Sequence, residues 1–340
     1  MSIKQKINRF LHLHIYPVPF LKNTIHMLCN RRSDYIKKYS NLASPGDKKR
    51  MLKYLFKCGI TYEEYFFYDC KNCDVSSFIS DAERWQYYHR LNGKKAFDIF
   101  IDKIATYELF SDLYGRECAK ITDASSFYAY VEQHPVFVYK RIDGSLGKGV
   151  RLIDASKNKE AVWSELCDSA PFVVEEPIKQ GAAMAALHPH SVNTLRISTI
   201  LTGSGNETYK VNVLAPFAKV GQKGSFVDNG GSGGILVAIS PEGKFFTDGI
   251  DEYCTVYTEH PDTKITFKGY EIPEFDKVLK LAETAALRIK TDARIVGWDL
   301  AYSENGWVIV EGNAFGQLIG QQMCDKVGKK AEFEALMKQI

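Results

Sequence analysis

Residues 294–313, RIVGWDLAYSENGWVIVEGN, are predicted to form two short strands joined by a tight turn. Apolar, β-branched and aromatic residues favour a strand on each side of Asn305-Gly306, and this dipeptide suits a hairpin because both residues tolerate positive φ. Asp299 on the first arm then faces Glu311 on the second arm. Asn313 lies two residues after Glu311 and points to the same face.

These three side chains place oxygen atoms on a rigid element. Carboxylate and amide oxygens are ligands that Mg²⁺ prefers, and Mg²⁺ carries nucleotide phosphates in many enzymes. The alternative is a hairpin whose acidic side chains face solvent. The apolar run before Glu311 favours a buried carboxylate, and a buried charge needs a partner. The sequence therefore predicts a magnesium site formed by Asp299, Glu311 and Asn313.

A glycine-rich segment upstream, RIDGSLGKG at 141–149, lies between predicted strands at 136–140 and 150–153. Glycine lets backbone N–H groups approach a phosphate closely, and Lys140 and Lys148 would supply charge. The spacing fits neither a Walker A loop nor a kinase glycine loop, and no helix follows as in a dinucleotide-binding fold. The segment is either a phosphate-binding hairpin or a plain turn.

Two further strands carry charged side chains. The segment FVVEEPI at 172–178 ends a buried strand on two acids. It could be a hinge that meets an adenine edge and ribose hydroxyls, or an ordinary strand end. Arg196 lies within the apolar run LRISTI, where its guanidinium needs either a phosphate or carboxylate ligand or a structural salt bridge. The neighbouring His188 and His190 are interpreted as satisfied polar residues near the site.

The composition is that of a globular protein, with 45% hydrophobic and 25% charged residues among 340. There is no apolar run of about 18 residues that would predict a membrane-spanning helix, and we expect no secretory signal. The eight cysteines are scattered, and Cys70-x-x-Cys73 has no second pair to complete a zinc site. We therefore expect reduced thiols in a cytoplasmic protein.

Positive charge is concentrated at the N-terminus. Residues 1–60 carry 13 Lys and Arg against two acids, a net charge of +11; since the whole chain carries +3, the remainder carries −8. We expect a mainly helical region at 1–90, with a basic amphipathic helix over 47–58. The charge suits either a solvated helical face or an anionic membrane surface, lipid-linked phosphate or acidic polymer. No recognition motif indicates nucleic acid.

The order of these features resembles that of the ATP-grasp superfamily: Lys103 within a helix predicted at 97–109, then Lys140, the glycine-rich hairpin, the Glu-Glu hinge, the strand with Arg196, and the Asp…Glu-x-Asn hairpin. More narrowly, HPHSVNTLRIST at 188–199 and GWDLAYSENGWVIVEGNAFGQ at 297–317 are similar to the branch associated with sugar transfer and surface-polysaccharide loci. The resemblance covers roughly residues 95–325.

The resemblance implies an α+β protein with the ATP-grasp fold, in which two α+β lobes hold ATP between them. The implied lobes are an N-lobe at 91–178 and a C-lobe at 179–340, and they follow the helical region expected at 1–90. It implies ATP and Mg²⁺, typically two ions, with the Mg²⁺ held by Asp299, Glu311 and Asn313. The implied nucleotide-binding residues are Lys103, Lys140, Asp143, Gly144, Ser145, Gly147, Lys148, Gly149, Glu175, Glu176 and Ile178. Arg196 and Lys148 would be catalytic, with Arg196 steadying the γ-phosphate or an acyl-phosphate.

The reaction that the resemblance implies converts a carboxylate to an acyl-phosphate, which an amine then attacks, leaving ADP and phosphate. By analogy we expect an amino acid or amine to be joined to a carboxylated sugar for surface polysaccharide, in the cytoplasm or at the inner face of the membrane. Two alternatives stay open. One is a phosphotransferase that acts on a sugar hydroxyl or on His188 or His190. The other is a non-catalytic scaffold docked through residues 1–60 to a membrane-bound glycosyltransferase assembly.

Overall fold

The structure is a computed structural model that describes residues 32–142, 149–203, 209–224 and 233–340. Its strands are β1 (Cys118–Ile121), β2 (Val136–Arg141), β3 (Arg151–Asp154), β4 (Phe172–Glu175), β5 (Thr194–Thr202), β6 (Lys210–Val220), β7 (Ile235–Ala238), β8 (Gly249–Ile250), β9 (Val256–Tyr257), β10 (Ile295–Ser303) and β11 (Gly306–Asn313). They form a four-stranded sheet in the order β1-β4-β2-β3 and a seven-stranded sheet in the order β11-β10-β5-β6-β7-β8-β9.

The described helices surround the two sheets. They are α1 (Arg32–Lys38), α2 (Asp47–Cys58), α3 (Tyr62–Phe67), α4 (Asp81–Leu91), α5 (Lys94–Ile101), α6 (Lys103–Tyr114), α7 (Ala124–Gln133), α8 (Lys159–Leu166), α9 (Ala182–Leu187), α10 (Phe275–Arg288), α11 (Ile319–Met323) and α12 (Lys330–Met337). Short 3₁₀ turns lie at Val75–Ser77 and Cys167–Ser169. In the described part of the chain, none of these helices has the length and apolar character needed to cross a bilayer.

The four-stranded sheet forms the smaller lobe. One of its faces packs against α7 and α8 through an apolar core that includes Phe127, Phe137 and Phe172. Side chains alternate along a strand, so Lys140 on β2 and Glu175 on β4 point to the opposite face. That face looks towards the seven-stranded sheet, because the Arg116 guanidinium beside Glu175 reaches the backbone of β11.

The seven-stranded sheet carries the larger core. Its inner face packs against α5, α6 and α10, and the rings of Phe100 and Phe110 lie 5.6 Å and 5.4 Å from that of Trp298. Residues 94–114 therefore belong to the larger lobe by packing. The smaller sheet spans 118–175, so the lobe boundary predicted at residue 91 lies well before its first strand.

The N-terminal helices pack on the larger lobe. Tyr39, Leu55 and Tyr65 share one apolar core with Ile250 of β8 and Met323 of α11. The basic amphipathic helix predicted over 47–58 is confirmed as α2. The predicted helical residues before Arg32 lie outside the described residues.

The single helix predicted at 97–109 is wrong, because the chain breaks between α5 and α6 at Asp102. Asp102 has extended backbone angles, and its carboxylate accepts hydrogen bonds from the N–H groups of Ile104 and Ala105. Aspartate favours this N-cap position because its carboxylate satisfies otherwise unpaired N–H groups. The break places Lys103 at the first residue of α6.

The register predicted for the β10–β11 hairpin is confirmed, since Asp299 pairs with Glu311. A β-bulge follows, because Leu300 pairs with Ile309 and leaves Val310 as the extra residue. The turn differs from the prediction: Ser303 pairs with Gly306, and of the turn residues only Gly306 has positive φ, at 108°. The loop is therefore Glu304-Asn305, and glycine supplies the one left-handed conformation that the turn needs.

Asn92, between α4 and α5, ties both ends of this hairpin together. Its side-chain amide donates to the carbonyls of Ile295 and Ala314, at 2.8 Å each. Its side-chain oxygen accepts from the N–H groups of Arg294 and Ile295, at 2.9 Å and 3.0 Å. One buried amide thus satisfies two backbone donors and two backbone acceptors.

We expect Asn92→Ala to lower the free energy of unfolding by about 3 kcal/mol, because it removes the partner of four backbone groups, three of them in buried hydrogen bonds. Denaturant unfolding followed by circular dichroism measures this loss. The matched control is Asn72→Ala, whose exposed amide bonds only to Asp69 and whose loss should change stability by less than about 0.5 kcal/mol. Equal stability of the two variants would contradict the role assigned to Asn92.

Candidate active site

The centre of the site is Asp299, which is 1% exposed and held by two cations. Arg196 lies opposite it on β5, and its Nε and Nη2 donate to the two Asp299 oxygens at 2.6 Å and 2.9 Å. Lys219 on β6 places its Nζ 3.0 Å from Asp299 Oδ2. Burial alone would raise the pKa of the Asp299 carboxyl, but these two cations hold that pKa well below its usual range.

Glu311 faces Asp299 from the neighbouring strand. It is exposed, so the predicted burial of its carboxylate is wrong; the apolar residues before it alternate in direction along the strand. The surrounding protein removes water from the Glu311 carboxyl, and the negative charge of Asp299 repels its ionised form. Both effects raise the pKa of Glu311, the first more than the second. Asn313 opposes this shift by donating a hydrogen bond from Nδ2 to Glu311 Oε1 at 3.1 Å. The structure therefore brings all three predicted metal ligands together, between the middle of β10 and the C-terminal end of β11.

This donor set fits Mg²⁺. Two facing carboxylates repel each other, and a divalent cation beside them would remove that repulsion. Among the described residues, no group of three His, Cys, Asp or Glu side chains is placed to hold a metal, so the set depends on the amide oxygen of Asn313. Since Asp299 already binds two cations, Glu311 and Asn313 have the more accessible ligand oxygens.

Glu175 anchors a second charged network, at the end of β4. Its Oε1 accepts from Lys140 Nζ at 2.7 Å, and its Oε2 accepts from Arg116 Nε and Nη2 at 3.0 Å and 2.8 Å. Burial would raise the pKa of Glu175, but Lys140 and Arg116 lower it to about 2. Both carboxylate oxygens are thus engaged within the protein rather than turned to a ribose.

Arg116 carries this network across to the larger lobe. Its Nη1 donates to the Ile309 carbonyl at 2.7 Å and its Nη2 to the Val310 carbonyl at 3.3 Å. These carbonyls flank the β-bulge, where one residue of β11 has no ladder partner. The guanidinium therefore joins the start of the predicted hinge to the strand that bears Glu311.

The predicted hinge residues Glu176 and Ile178 line a cavity of about 210 Å³. Its other walls come from Arg116, the β10–β11 turn and Val308. The Glu176 carboxylate accepts from the backbone N–H of Glu117 at 2.7 Å and lies 3.2 Å from His134 Nδ1. Glu176 is thus directed towards the β1 side of the sheet.

Two predicted phosphate lysines frame the end of β2. Lys103 Nζ donates to the Ile142 carbonyl at 3.3 Å, and Lys140 lies two residues earlier. Gly149 is described with φ of 80°, on the far side of the glycine-rich segment. The predicted residues Asp143, Gly144, Ser145, Gly147 and Lys148 lie outside the described residues, so their phosphate contacts stay predictions.

The histidines differ from each other. His188 is 1% exposed, and its Nδ1 lies 2.8 Å from Ser191 Oγ. Burial, and then the neighbouring His260, lower the pKa of His188. His190 is exposed. The buried Nε2 of His188 has no hydrogen-bond partner among the described residues, so the interpretation of His188 as a satisfied polar residue is wrong.

Sequence reasoning missed Arg116 and Lys219. Lys219 lies in the apolar run LAPFAKV, and a charge in such a run is the same signal that singled out Arg196. Arg116 gives no comparable signal, because it precedes a short strand and its partner Glu175 is 59 residues away.

Residues 82–338 match the sugar-transfer associated ATP-grasp family, which covers most of the chain. The protein belongs to the sugar-transfer associated ATP-grasp family. The recognition made from the two quoted motifs is thereby confirmed, and so is the ATP-grasp fold. Sequence comparison with curated proteins gives no match.

Several solved structures are similar to this chain at low identity. The ATP-grasp ligase PsnB complexed with minimal precursor has 16% identity and a TM-score of 0.46, covering 76% of this chain and 69% of that one. D-alanyl-alanine synthetase A from Vibrio cholerae has 15% identity and a TM-score of 0.44, covering 73% and 67%. An L-amino acid ligase from Bacillus licheniformis has 13% identity and a TM-score of 0.40, covering 68% and 44%.

We expect Arg116→Met to lower the free energy of unfolding by about 3–5 kcal/mol. The substitution leaves buried Glu175 with one cation and removes the Arg116 donor from the carbonyls of Ile309 and Val310. The control is Arg151→Met, which breaks the exposed Arg151–Glu165 pair and should change stability by less than about 1 kcal/mol. Denaturant midpoints compare the two. Loss of the same size in both variants would show that Arg116 does not join the lobes.

Proposed function

We propose that this ATP-grasp protein is an ATP- and Mg²⁺-dependent ligase that joins a carboxylate to an amine through an acyl-phosphate and releases ADP and phosphate. The observation that supports this most is the cluster of Arg196, Lys219, Asp299, Glu311 and Asn313. It combines two cations with three oxygen donors on adjacent strands. Such a set suits phosphoryl transfer, which needs positioning and charge neutralisation more than a protein nucleophile.

Each residue has a distinct task in this proposal. Glu311, Asn313 and Asp299 would hold Mg²⁺, which when bound neutralises charge on the ATP phosphates. Lys140 from the smaller lobe and Lys103 from the start of α6 would bind the nucleotide phosphates. Arg196 would stabilise the transferring phosphoryl group and the acyl-phosphate.

The Arg196 guanidinium is preorganised to bind the transferring phosphoryl group. Asp299 fixes Nε and Nη2, so the side chain has one orientation before any ligand binds. Its Nη1 lies beside Gly297 and Gly316, where an added Cβ would come within 3.4 Å and 3.5 Å of it. Neither glycine has a side chain beside Nη1, and in this proposal Nη1 donates to an oxygen of the phosphoryl group.

We propose that one substrate is an amino acid or amine and that the other is a sugar that bears a carboxylate. The protein would then act in surface-polysaccharide synthesis in the cytoplasm. The support is the association of this family with sugar transfer, together with an arginine and a lysine at the site. A carboxylate that must be phosphorylated is anionic, and Arg196 and Lys219 would attract it.

Product analysis tests the reaction. The protein is incubated with ATP, Mg²⁺ and a pool of amino acids and uronic-acid sugars, and ADP, AMP and phosphate are measured separately. We expect substrate-dependent ADP and phosphate, with an acyl intermediate that hydroxylamine traps. ADP with a phosphorylated sugar and no free phosphate would instead establish a phosphotransferase, and AMP would exclude both reactions.

Glu311→Gln tests the metal assignment. We expect kcat/KM for ATP turnover to fall at least about a hundredfold, because the amide removes one anionic ligand from the site. The melting temperature should not fall, since the substitution removes repulsion from Asp299. Glu242→Gln, at an exposed turn, is the control and should keep full activity. Turnover near the wild-type rate in Glu311→Gln would refute the assignment.

A further inference from the structure

The outward face of α2 is a dense positive surface. The exposed residues of this helix are Lys48, Lys49, Lys53, Phe56 and Lys57, which we name the basic face. The opposite side of α2 is anchored in the protein core through Asp47, Met51 and Leu55. The helix therefore cannot rotate to hide its lysines, and it presents them as a fixed array.

Three acidic side chains near α2 each have hydrogen-bond or ion-pair partners outside the basic face. Asp47 is buried and bonds to Arg50, Ser44 and Tyr65. Glu63 on the adjacent α3 pairs with Lys38 at 3.3 Å. Asp74, close to Lys57, accepts from the Ser76 N–H and hydroxyl. The basic face itself contains no acid.

Phe56 distinguishes the basic face from an ordinary solvated helix. Its side chain is 53% exposed, although a phenylalanine normally favours the core. It lies one turn after Leu52, which is half-buried, and three residues after Lys53. An aromatic ring set among lysines is typical of helices that lie in a membrane interface, where the ring enters the acyl boundary and the lysines meet headgroups.

The sequence before α1 adds charge of the same sign. Residues 1–31 contain five basic residues and no acid: Lys4, Lys6, Arg9, Lys22 and Arg31. Basic segments of this kind bind anionic leaflets through many weak contacts. The charge of the first 60 residues is thus complementary to an anionic bilayer rather than to a single small anion.

We propose that the basic face docks this protein on the surface of a bilayer that contains anionic lipid. The lysines contact phosphate and carboxylate headgroups, and Phe56 inserts between them. The protein is then a peripheral membrane protein held by α2. This inference does not depend on the proposed ligase reaction, since it concerns a different surface and needs neither ATP nor acceptor.

Vesicle flotation tests the proposal with the full-length protein and no nucleotide. We expect binding to vesicles of phosphatidylcholine with phosphatidylserine, weak binding to phosphatidylcholine alone, and loss of binding at high salt. The variant K48Q/K49Q/K53Q/K57Q should reduce the partition coefficient more than about a hundredfold, at about fivefold per lysine. F56S should reduce it about tenfold at unchanged net charge.

The matched control is K264Q/K268Q/K277Q/K280Q, which removes four exposed lysines elsewhere and changes net charge equally. It should bind vesicles nearly as wild type. Equal loss in both quadruple variants would overturn the proposal, because net charge alone would then explain binding. The proposal would also be overturned if F56S bound vesicles as well as the wild type and a soluble polyanion displaced the protein fully from the vesicles. That pair of results would identify an acidic polymer as the partner.

Discussion

The ion pair between Arg116 and Glu175 is the constraint on which the arrangement of the two sheets depends. Both side chains are almost fully buried, so neither charge can be left without the other. Glu175 belongs to the smaller sheet, and the same guanidinium binds the carbonyls of Ile309 and Val310 in the larger one. The two sheets are therefore joined by a charge-assisted contact.

The same contact sets the geometry of the candidate site. Lys140 is held by the other oxygen of Glu175, and Glu311 follows Val310 directly in β11. A shift at the bulge would move Glu311 relative to Asp299, and a shift of Glu175 would move Lys140. Candidate binding groups on two lobes are thus placed by a single buried carboxylate and its arginine partner. Preorganisation of this kind favours catalysis, because the groups need not reorient during the reaction.

Much of the larger lobe could be predicted from the sequence, because its patterns are local. Asp299 is expected to face Glu311, because side chains alternate in direction along two strands that are joined by a short turn. The break at Asp102 carried a local signal as well, since aspartate is a preferred N-cap. The pairing of Arg116 with Glu175 left no such signal, because long-range partners are chosen by the fold and not by neighbouring residues.

The lobe boundary could not be predicted for a related reason. Residues 94–114 have the composition of a helical segment that either lobe could bind, and their packing against Trp298 becomes visible only in three dimensions. Lys219 was overlooked although its apolar surroundings resemble those of Arg196. A lysine or arginine within an apolar strand pattern therefore indicates a buried ion pair at Lys219 as well as at Arg196.

The N-terminal helices also set a limit on how this protein can be shortened. The family match begins at residue 82, yet Tyr39, Leu55 and Tyr65 cover apolar side chains of β8 and α11. A chain trimmed to the matched region would leave Ile250, Cys254 and Met323 facing water. Such a fragment would expose an apolar patch and would tend to aggregate. That aggregation would be easy to mistake for an inability of the ATP-grasp lobes to fold.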